Sequence, residues 1–226
     1  MKLTYYGHSC FAVELQGKRL LFDPFITPNE LAKAVDINAI TADYILISHG
    51  HFDHINDAVS LAKRTGATVV SNFEIVEWLR KQGLSKLHPM NHGGGWNFDF
   101  GRVKYVNAVH SSSFPDGTYA GNPGGFVVTS PEANFYYSGD TALISDMELI
   151  GKSIELRFAV LCVGDNFTMG IDDAIEAARM LRCTEIVGVH YDTFPYIKID
   201  HQAALQKFHD AHRRLHLITP NHTIDL

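Results

Sequence analysis

The sequence predicts an α/β (α+β) fold in four layers, with helices outside and two β-sheets packed face to face inside. Three observations predict it. Each half of the chain opens with short apolar or alternating runs separated by turn residues, as in hairpins. Each half then alternates strand-like and helix-like segments. No linker, low-complexity tract or short-period repeat interrupts the 226 residues, so we expect residues 1–226 to form a single domain.

The first half of the chain supplies the first predicted sheet. Residues 3–6, 10–15 and 19–22 are predicted strands, and Gln16-Gly17-Lys18 is a hairpin-type turn between the last two. Residues 44–47 form a fully apolar run, which is typical of a buried strand. A helix over residues 56–64, a strand over 67–70 and a helix over 74–82 complete this half.

The second half of the chain repeats this arrangement. Hairpin strands are predicted over residues 96–100, 102–109, 126–129 and 134–137. The remaining segments are strands over 158–163, 185–189 and 215–218, with helices over 172–181 and 201–213. Each sheet is therefore expected to carry helices on its outer face.

Composition narrows the class of protein and its partners. The formal charge is −6 and the basic residues are scattered, which argues against a nucleic-acid partner. No apolar run is long enough to span a bilayer, and the N-terminus lacks the apolar stretch of a signal peptide. Three cysteines without a C-x-x-C spacing indicate a reducing compartment. We expect a cytoplasmic protein that acts on a small molecule and forms at most a homo-oligomer.

The densest group of chemically active residues is Ser48-His49-Gly50-His51-Phe52-Asp53-His54. Four potential ligands fall within six residues, after a buried strand and before a helix, where sheets place their sites. Imidazole and carboxylate groups suit zinc and similar cations. The alternative, a solvated polar loop, leaves the coincidence of four such groups unexplained.

This segment resembles the H-x-H-x-D-H motif of the metallo-β-lactamase superfamily. That superfamily adds a histidine, an aspartate and a final histidine after later strands, and this chain has His110, Asp140 and His190 in that order. The resemblance implies a metallo-β-lactamase-type sandwich with two divalent metal ions. It implies one site of His49, His51 and His110, a second of Asp53, His54 and His190, and Asp140 as the bridge. Taken singly, each of the three later residues is also an ordinary capping or core polar residue.

The residue at the second ligand position of the motif indicates which kind of metal the site binds. Redox diiron relatives place a glutamate there, whereas this chain has His51, and an all-imidazole site favours hydrolytic metals. Zinc is the expected metal, with manganese and nickel as alternatives.

Three further segments resemble prokaryotic metal-dependent hydrolases related to L-ascorbate-6-phosphate lactonase, a group to which no sequence feature assigns a substrate. They are Gly7-His8-Ser9-Cys10-Phe11, Asp165-Asn166-Phe167-Thr168-Met169-Gly170 and His190-Tyr191-Asp192-Thr193-Phe194-Pro195.

The resemblance implies hydrolysis by water that the metals activate as hydroxide, on a lactone or related carboxylic ester. The alternatives are a small phosphodiester as substrate and a non-catalytic metal-binding scaffold. Asp53 and Asp140 are the expected catalytic carboxylates, with Asp53 as a base if one metal is bound. His8 is either a turn residue or a group that faces the water or the substrate, and we predict the second.

Two further features are left open by the sequence. Asp165 follows a buried strand and either orients a ligand imidazole or is a loop carboxylate. Residues 111–125 directly follow His110 and form either a lid or a passive surface loop.

Overall fold

A computed structural model describes all 226 residues of the chain. It contains two seven-stranded sheets. The strands of the first sheet are β1 (Lys2–Gly7), β2 (Cys10–Leu15), β3 (Lys18–Phe22), β4 (Tyr44–Leu46), β5 (Thr68–Asn72), β6 (Leu87–Met90) and, from the C-terminus, β14 (His222–Asp225). The strands of the second are β7 (Gly95–Phe98), β8 (Gly101–Asn107), β9 (Gly124–Thr129), β10 (Phe135–Tyr137), β11 (Phe158–Cys162), β12 (Glu185–Val189) and β13 (Arg214–His216).

Both sheets change from antiparallel to parallel pairing at their middle. The first runs in the order β14-β1-β2-β3-β4-β5-β6, and pairing becomes parallel from β3 onward. The second runs in the order β13-β12-β11-β10-β9-β8-β7, and pairing is parallel from β10 to β13. Parallel neighbours need crossover connections, which explains why helices appear only in the second part of each half.

Six α-helices cover the sheets: α1 (Phe52–Ile55), α2 (Ala58–Thr65), α3 (Phe73–Lys81), α4 (Asp146–Ser153), α5 (Ile171–Met180) and α6 (His201–Asp210). Short 3₁₀ helices occupy Glu30–Ala32, Ile37–Ala39 and Pro195–Ile197. None of these helices combines the length and the hydrophobicity needed to span a lipid bilayer.

Three apolar clusters hold the layers together. The largest lies between the sheets and includes Phe11, Phe22 and Phe126. A second packs α2 and α3 on the first sheet, and a third packs α4, α5 and α6 on the second. Three separate cores in this order make a helix–sheet–sheet–helix sandwich, which confirms the predicted fold class.

The observed elements differ from the predicted ones at a few positions, and each of these differences has a physical reason. The helix predicted over 56–64 is observed as α2 at Ala58–Thr65, and the short α1, which was not predicted, precedes it inside the histidine-rich segment. Strands β6 and β14 were missed because they contain Pro89 or are largely polar, and such residues are tolerated at sheet edges. The turn at Gln16-Gly17 is as predicted: the φ angles of 50° and 72° suit a tight hairpin, and glycine adopts such values without strain.

Candidate metal centre

The potential ligands come from strand ends in both sheets. His49 follows β4 in the first sheet, while His110, Asp140 and His190 follow β8, β10 and β12 in the second. The end of β4 is tied to the second sheet, because the Tyr105 hydroxyl donates a hydrogen bond to the Ser48 carbonyl at 2.7 Å. Side chains that are far apart in sequence therefore meet at one end of the sandwich.

Three histidines form what we call the first group: His49, His51 and His110. His49 Nε2 lies 3.0 Å from His51 Nδ1, and the His110 ring lies 5.2 Å from the His49 ring and 5.1 Å from the His51 ring. Their ring nitrogens lie within 4.8 Å of one another, as the three ligands of a single cation would.

Asp53, His54 and His190 form the second group. Asp53 Oδ2 lies 3.8 Å from His54 Nε2 and 3.7 Å from His190 Nε2. His8 joins these three, since its Nε2 lies 2.9 Å from Asp53 Oδ2. The second group is therefore a carboxylate surrounded by three imidazoles rather than by the two that the sequence predicted.

Asp140 lies between the two groups. Its Oδ2 is 2.9 Å from His190 Nε2 and 3.2 Å from His54 Nε2 on one side, and 3.7 Å from His110 Nε2 and 3.9 Å from His49 Nε2 on the other. A single carboxylate oxygen thus approaches histidines of both groups. All seven residues predicted as ligands are brought together; their role as ligands stays a prediction.

Gly139 allows Asp140 to reach this position. Its φ angle is +59°, and an added Cβ would lie 2.5 Å from the Gly124 carbonyl oxygen and 3.0 Å from Ser48 Cβ. Any larger residue would therefore collide with the backbone of β9 and with the end of β4. The sharp turn after β10 directs the next side chain into the space between the groups.

Asp23 was missed by the sequence reasoning. It is fully buried after β3 and accepts four hydrogen bonds: from Ser48 N (2.7 Å), Ser48 Oγ (2.5 Å), Tyr137 OH (2.5 Å) and His54 Nδ1 (2.8 Å). A carboxylate on Nδ1 fixes the His54 ring so that Nε2 points at Asp140. The signal was present, because Asp23 ends the apolar run of β3 just before a proline.

His8 is a buried contact of Asp53. The side chain has no solvent exposure, its Nε2 contacts Asp53 Oδ2, and its Nδ1 lies 2.9 Å from Thr193 Oγ1. Burial, together with the neighbouring His190, lowers the pKa of His8 to about 4. A neutral imidazole has one N–H and a carboxylate only accepts, so Nε2–H donates to Asp53 and Nδ1 accepts from Thr193.

Strained backbone surrounds the same residues. His8, Asp23 and His190 have φ angles of 56°, 40° and 59°, values that residues other than glycine rarely adopt. The His190 backbone N–H donates to the His8 carbonyl at 2.9 Å, which joins the two sheets at the site. Such strain persists only where surrounding contacts enforce it, and it is concentrated at functional sites.

The two groups differ in their electrostatics. Burial lowers the pKa of His49, His51 and His110, which keeps these imidazoles neutral and leaves one ring nitrogen of each able to bind a cation. Burial also acts on His54 and His190, but neighbouring carboxylates outweigh it: Asp140 and then Asp53 raise the pKa of His54 well above its usual range.

Asp140 likewise raises the pKa of His190, to about 9, against the effect of burial. The pKa values of the carboxyl groups themselves shift downward. Asp53 and Asp140 are themselves desolvated, yet His54 and His190 hold the pKa of both carboxyls well below the usual value. Both aspartates are therefore ionised at neutral pH, as metal ligands must be.

Unpartnered polar atoms indicate that a cation fits here. His54 Nε2, Asp140 Oδ1 and His190 Nδ1 are buried and make no hydrogen bond. Buried polar atoms in proteins are almost always hydrogen-bonded, so each exception requires an explanation. A cation between the groups would satisfy His54 Nε2 and Asp140 together, and the imidazole and carboxylate donors suit zinc and similar ions.

The centre is open to solvent on one side. His49, His54, Asp140 and His190 have side-chain exposures of 0–3%, whereas Asp53 and His110 retain 21% and 14%. A substrate or a water molecule therefore reaches the centre past Asp53 and His110.

The two features that the sequence left open are now placed. Asp165 is exposed, and its carboxylate accepts a hydrogen bond from the backbone of Asn166 rather than from a ligand imidazole. The loop after His110 is anchored: Phe114 stacks on Trp78 at 4.8 Å, and Asn72 Nδ2 donates to the Ala120 carbonyl at 2.9 Å. A lid would have to break these contacts, so the loop forms a fixed wall.

Comparisons with known proteins agree with this architecture. The β-lactamase superfamily domain model matches residues 18–191. A metal-dependent hydrolase of Flavobacterium johnsoniae is 52% identical over the whole of both chains, and one of Methylacidiphilum infernorum is 56% identical over 93% of each.

Solved structures give the same result. The chain is similar to Igni18, a metallo hydrolase of the archaeon Ignicoccus hospitalis, with 34% identity and a TM-score of 0.89 over 99% of this chain and 97% of that one. An isothiocyanate hydrolase from Delia radicum gut bacteria has the same fold at 19% identity, with a TM-score of 0.78 over 100% of this chain and 99% of that one. With the fold, the histidine-rich centre and these relatives in agreement, the chain belongs to the metallo-β-lactamase superfamily and is a metal-dependent hydrolase.

Proposed function

We propose that this hydrolase binds two divalent cations, zinc in the first instance, and cleaves a lactone or a related carboxylic ester of a small molecule. The observation that carries the proposal is the position of Asp140 Oδ2, within 3.9 Å of histidines in both groups. A carboxylate shared in this way offsets the repulsion between two nearby cations.

His49, His51 and His110 would hold the first cation, and Asp53, His54 and His190 the second. When bound, these cations supply positive charge and bring the pKa of a coordinated water to about 7. Asp23 holds His54 and His8 holds Asp53, so two of the three residues that would hold the second cation are each oriented by a further hydrogen bond.

The reaction adds the oxygen of water to the acyl carbon, breaks the bond from that carbon to the ester oxygen, and delivers a water proton to that oxygen. Asp53 is the carboxylate nearest the open side. Its low pKa keeps it ionised and favours its use as a ligand. If only the first group is loaded, Asp53 is free and is the residue that we expect to accept the proton.

A small-molecule substrate in a reducing compartment is part of this proposal. It is supported by the partial exposure of Asp53 and His110 beside otherwise buried residues and by three buried free thiols, Cys10, Cys162 and Cys183.

The test is to load the protein with zinc, count the metals by elemental analysis, and assay γ-lactones beside bis(4-nitrophenyl) phosphate. We expect two metals per chain and lactone opening. Asp140→Ala should lose both metal and activity, whereas Asp173→Ala, an exposed carboxylate on α5, should keep both.

Three results would contradict the proposal. Two metals retained in Asp140→Ala would show that Asp140 is not the bridge. Hydrolysis of the phosphodiester alone would replace the ester by a phosphodiester as the substrate. A fully loaded protein inactive on every substrate would favour the metal-binding scaffold.

A further inference from the structure

Aromatic side chains lie beside the second group, where Asp53 is partly exposed. Phe52 lies between His51 and Asp53 in sequence, and its ring packs on Phe25 at 5.4 Å. Phe194 also contacts Phe25, at 6.3 Å, and it packs on His8 at 5.4 Å. The His8 ring is itself only 4.3 Å from that of His190, so Phe194 stands one ring away from the second group.

Two more aromatic residues extend this surface outward. Tyr196 follows Phe194 in a 3₁₀ helix, and its ring meets that of Phe167 at 6.3 Å. The loop that carries Phe167 is tied to the centre, because the Met169 N–H donates to the carbonyl of Thr141, the residue after Asp140, at 3.0 Å. We call Phe52, Phe167, Phe194 and Tyr196 the aromatic rim.

The rim is exposed although its residues are apolar. Phe52, Phe167 and Tyr196 are 45%, 51% and 74% exposed, values far above those of the core aromatics. Large exposed apolar groups that cluster beside a site mark a surface that buries them against a ligand.

Charge around the centre supports the same conclusion. No lysine or arginine occurs in residues 3–17, 20–32, 34–62, 105–151, 158–178 or 183–197, which include every potential ligand and every rim residue. The next basic residue after the rim in sequence is Lys198, which lines a cavity with Lys207 and with the carboxylates of Asp165, Asp172 and Asp200. An anionic group on the outer part of a substrate would find, on these segments, no guanidinium or ammonium group, the usual receptor for phosphate and carboxylate.

We infer that the enzyme selects uncharged substrates that carry an aromatic or bulky apolar group next to the bond that is cleaved. The inference rests on the proposed function for the reacting centre, but the rim sets the class of substituent whichever bond is broken. A phosphate or carboxylate on this group is disfavoured, since the segments that carry the rim contain no lysine or arginine to pair with it.

Binding of matched chelators tests this inference without using turnover. Three hydroxamic acids share one zinc-binding head and differ in the tail: 3-phenylpropanohydroxamic acid, acetohydroxamic acid and succinic monohydroxamic acid. With the zinc-loaded protein, calorimetry should give an affinity about tenfold or more higher for the phenyl compound than for the methyl one, because the ring buries apolar surface. The carboxylate compound should bind more weakly than the methyl one.

Variants locate the effect. The double variant Phe167→Ser/Tyr196→Ser should lose most of the phenyl advantage and keep the affinity for acetohydroxamic acid. Trp96→Ser removes an equally exposed aromatic group, 56% exposed, from edge strand β7 and should leave the advantage unchanged.

Equal affinities for the phenyl and methyl compounds, or tighter binding of the carboxylate, would overturn the inference. So would a phenyl advantage that survives in the double variant. These outcomes are independent of lactone hydrolysis, so a failed assay of the proposed reaction is distinguishable from a failure of the rim.

Discussion

At the scale of single residues, the geometry of the centre depends on the side chains that contact the candidate ligands as well as on the candidate ligands themselves. Asp23 holds His54 and His8 holds Asp53, and both residues have positive φ angles at strand ends. Because an imidazole or carboxylate with a fixed partner loses less freedom on binding a metal, we expect these contacts to increase metal affinity if His54 and Asp53 are ligands, as proposed.

His8→Ala tests the contact with Asp53. If His8 only faced the water or the substrate, as predicted from the sequence, the variant would bind metal normally and lose turnover. Since His8 is buried against Asp53, we now expect a decrease of about 10–100-fold in affinity for the second metal as well, measured by competition with a chromogenic chelator. His8→Gln keeps an N–H near Nε2 and should restore part of the affinity. Unchanged metal affinity with lost turnover would return His8 to the original prediction.

Asp23→Ala should be strongly destabilising. It leaves buried donors on Ser48, His54 and Tyr137 without an acceptor, which costs about 3–5 kcal/mol in the free energy of unfolding. Tyr137→Phe removes only one donor of the same network and should cost about 1 kcal/mol. Urea denaturation of the metal-free variants measures both, and similar losses in the two would refute a central role for Asp23.

At the scale of elements, the loop after His110 and the segment before α1 fix each other. An added Cβ on Gly50 would lie 2.2 Å from Ala120 Cβ, and the Gly50 N–H donates to Ser112 Oγ at 3.1 Å. Ser111 Oγ also lies 3.3 Å from His51 Nε2. The loop therefore sets the position of the first group and is a part of the site.

This packing predicts a compensating pair of substitutions. Gly50→Ala should cost about 1–3 kcal/mol by overpacking and should weaken metal binding, because the loop is displaced from His51. Ala120→Gly removes the opposing methyl group, so the double variant Gly50→Ala/Ala120→Gly should recover most of the lost stability and affinity. Additive losses, measured by denaturation and zinc titration, would show that the two residues do not interact.

At the scale of the whole molecule, the centre joins the two sheets. His49, His51, Asp53 and His54 follow β4 of the first sheet, whereas His110, Asp140 and His190 follow strands of the second. A cation held by both sets binds only the folded sandwich, so metal binding contributes directly to the free energy of unfolding.

Zinc should therefore raise the melting temperature. At free zinc about 100-fold above the dissociation constant, linkage contributes about 2.7 kcal/mol. For a chain of this size that corresponds to a rise of about 5–10 °C in a thermal scan, which a chelator should reverse. Asp140→Ala, with its metals lost, should show little of this rise. A wild-type melting temperature that does not respond to zinc would argue against cations that join the sheets.

The sequence by itself determined the fold class, the order of most elements and the seven residues that meet at the centre. It could do so because apolar periodicity reports burial and because ligand-type side chains at strand ends are local signals. His110, Asp140 and His190 were identified through the resemblance to the superfamily, because a single polar residue after a strand is otherwise an ordinary capping or core residue.

Only the tertiary structure decided how the remaining residues act. Asp23 and His8 are single polar residues at strand ends, and their partners His54 and Asp53 lie 31 and 45 positions away. The anchoring of the loop by Phe114 and Ala120 and the aromatic rim beside the second group likewise depend on contacts between distant segments. Such contacts leave no periodic signal, because they are fixed by how the two sheets pack and not by the neighbours of each residue in the chain.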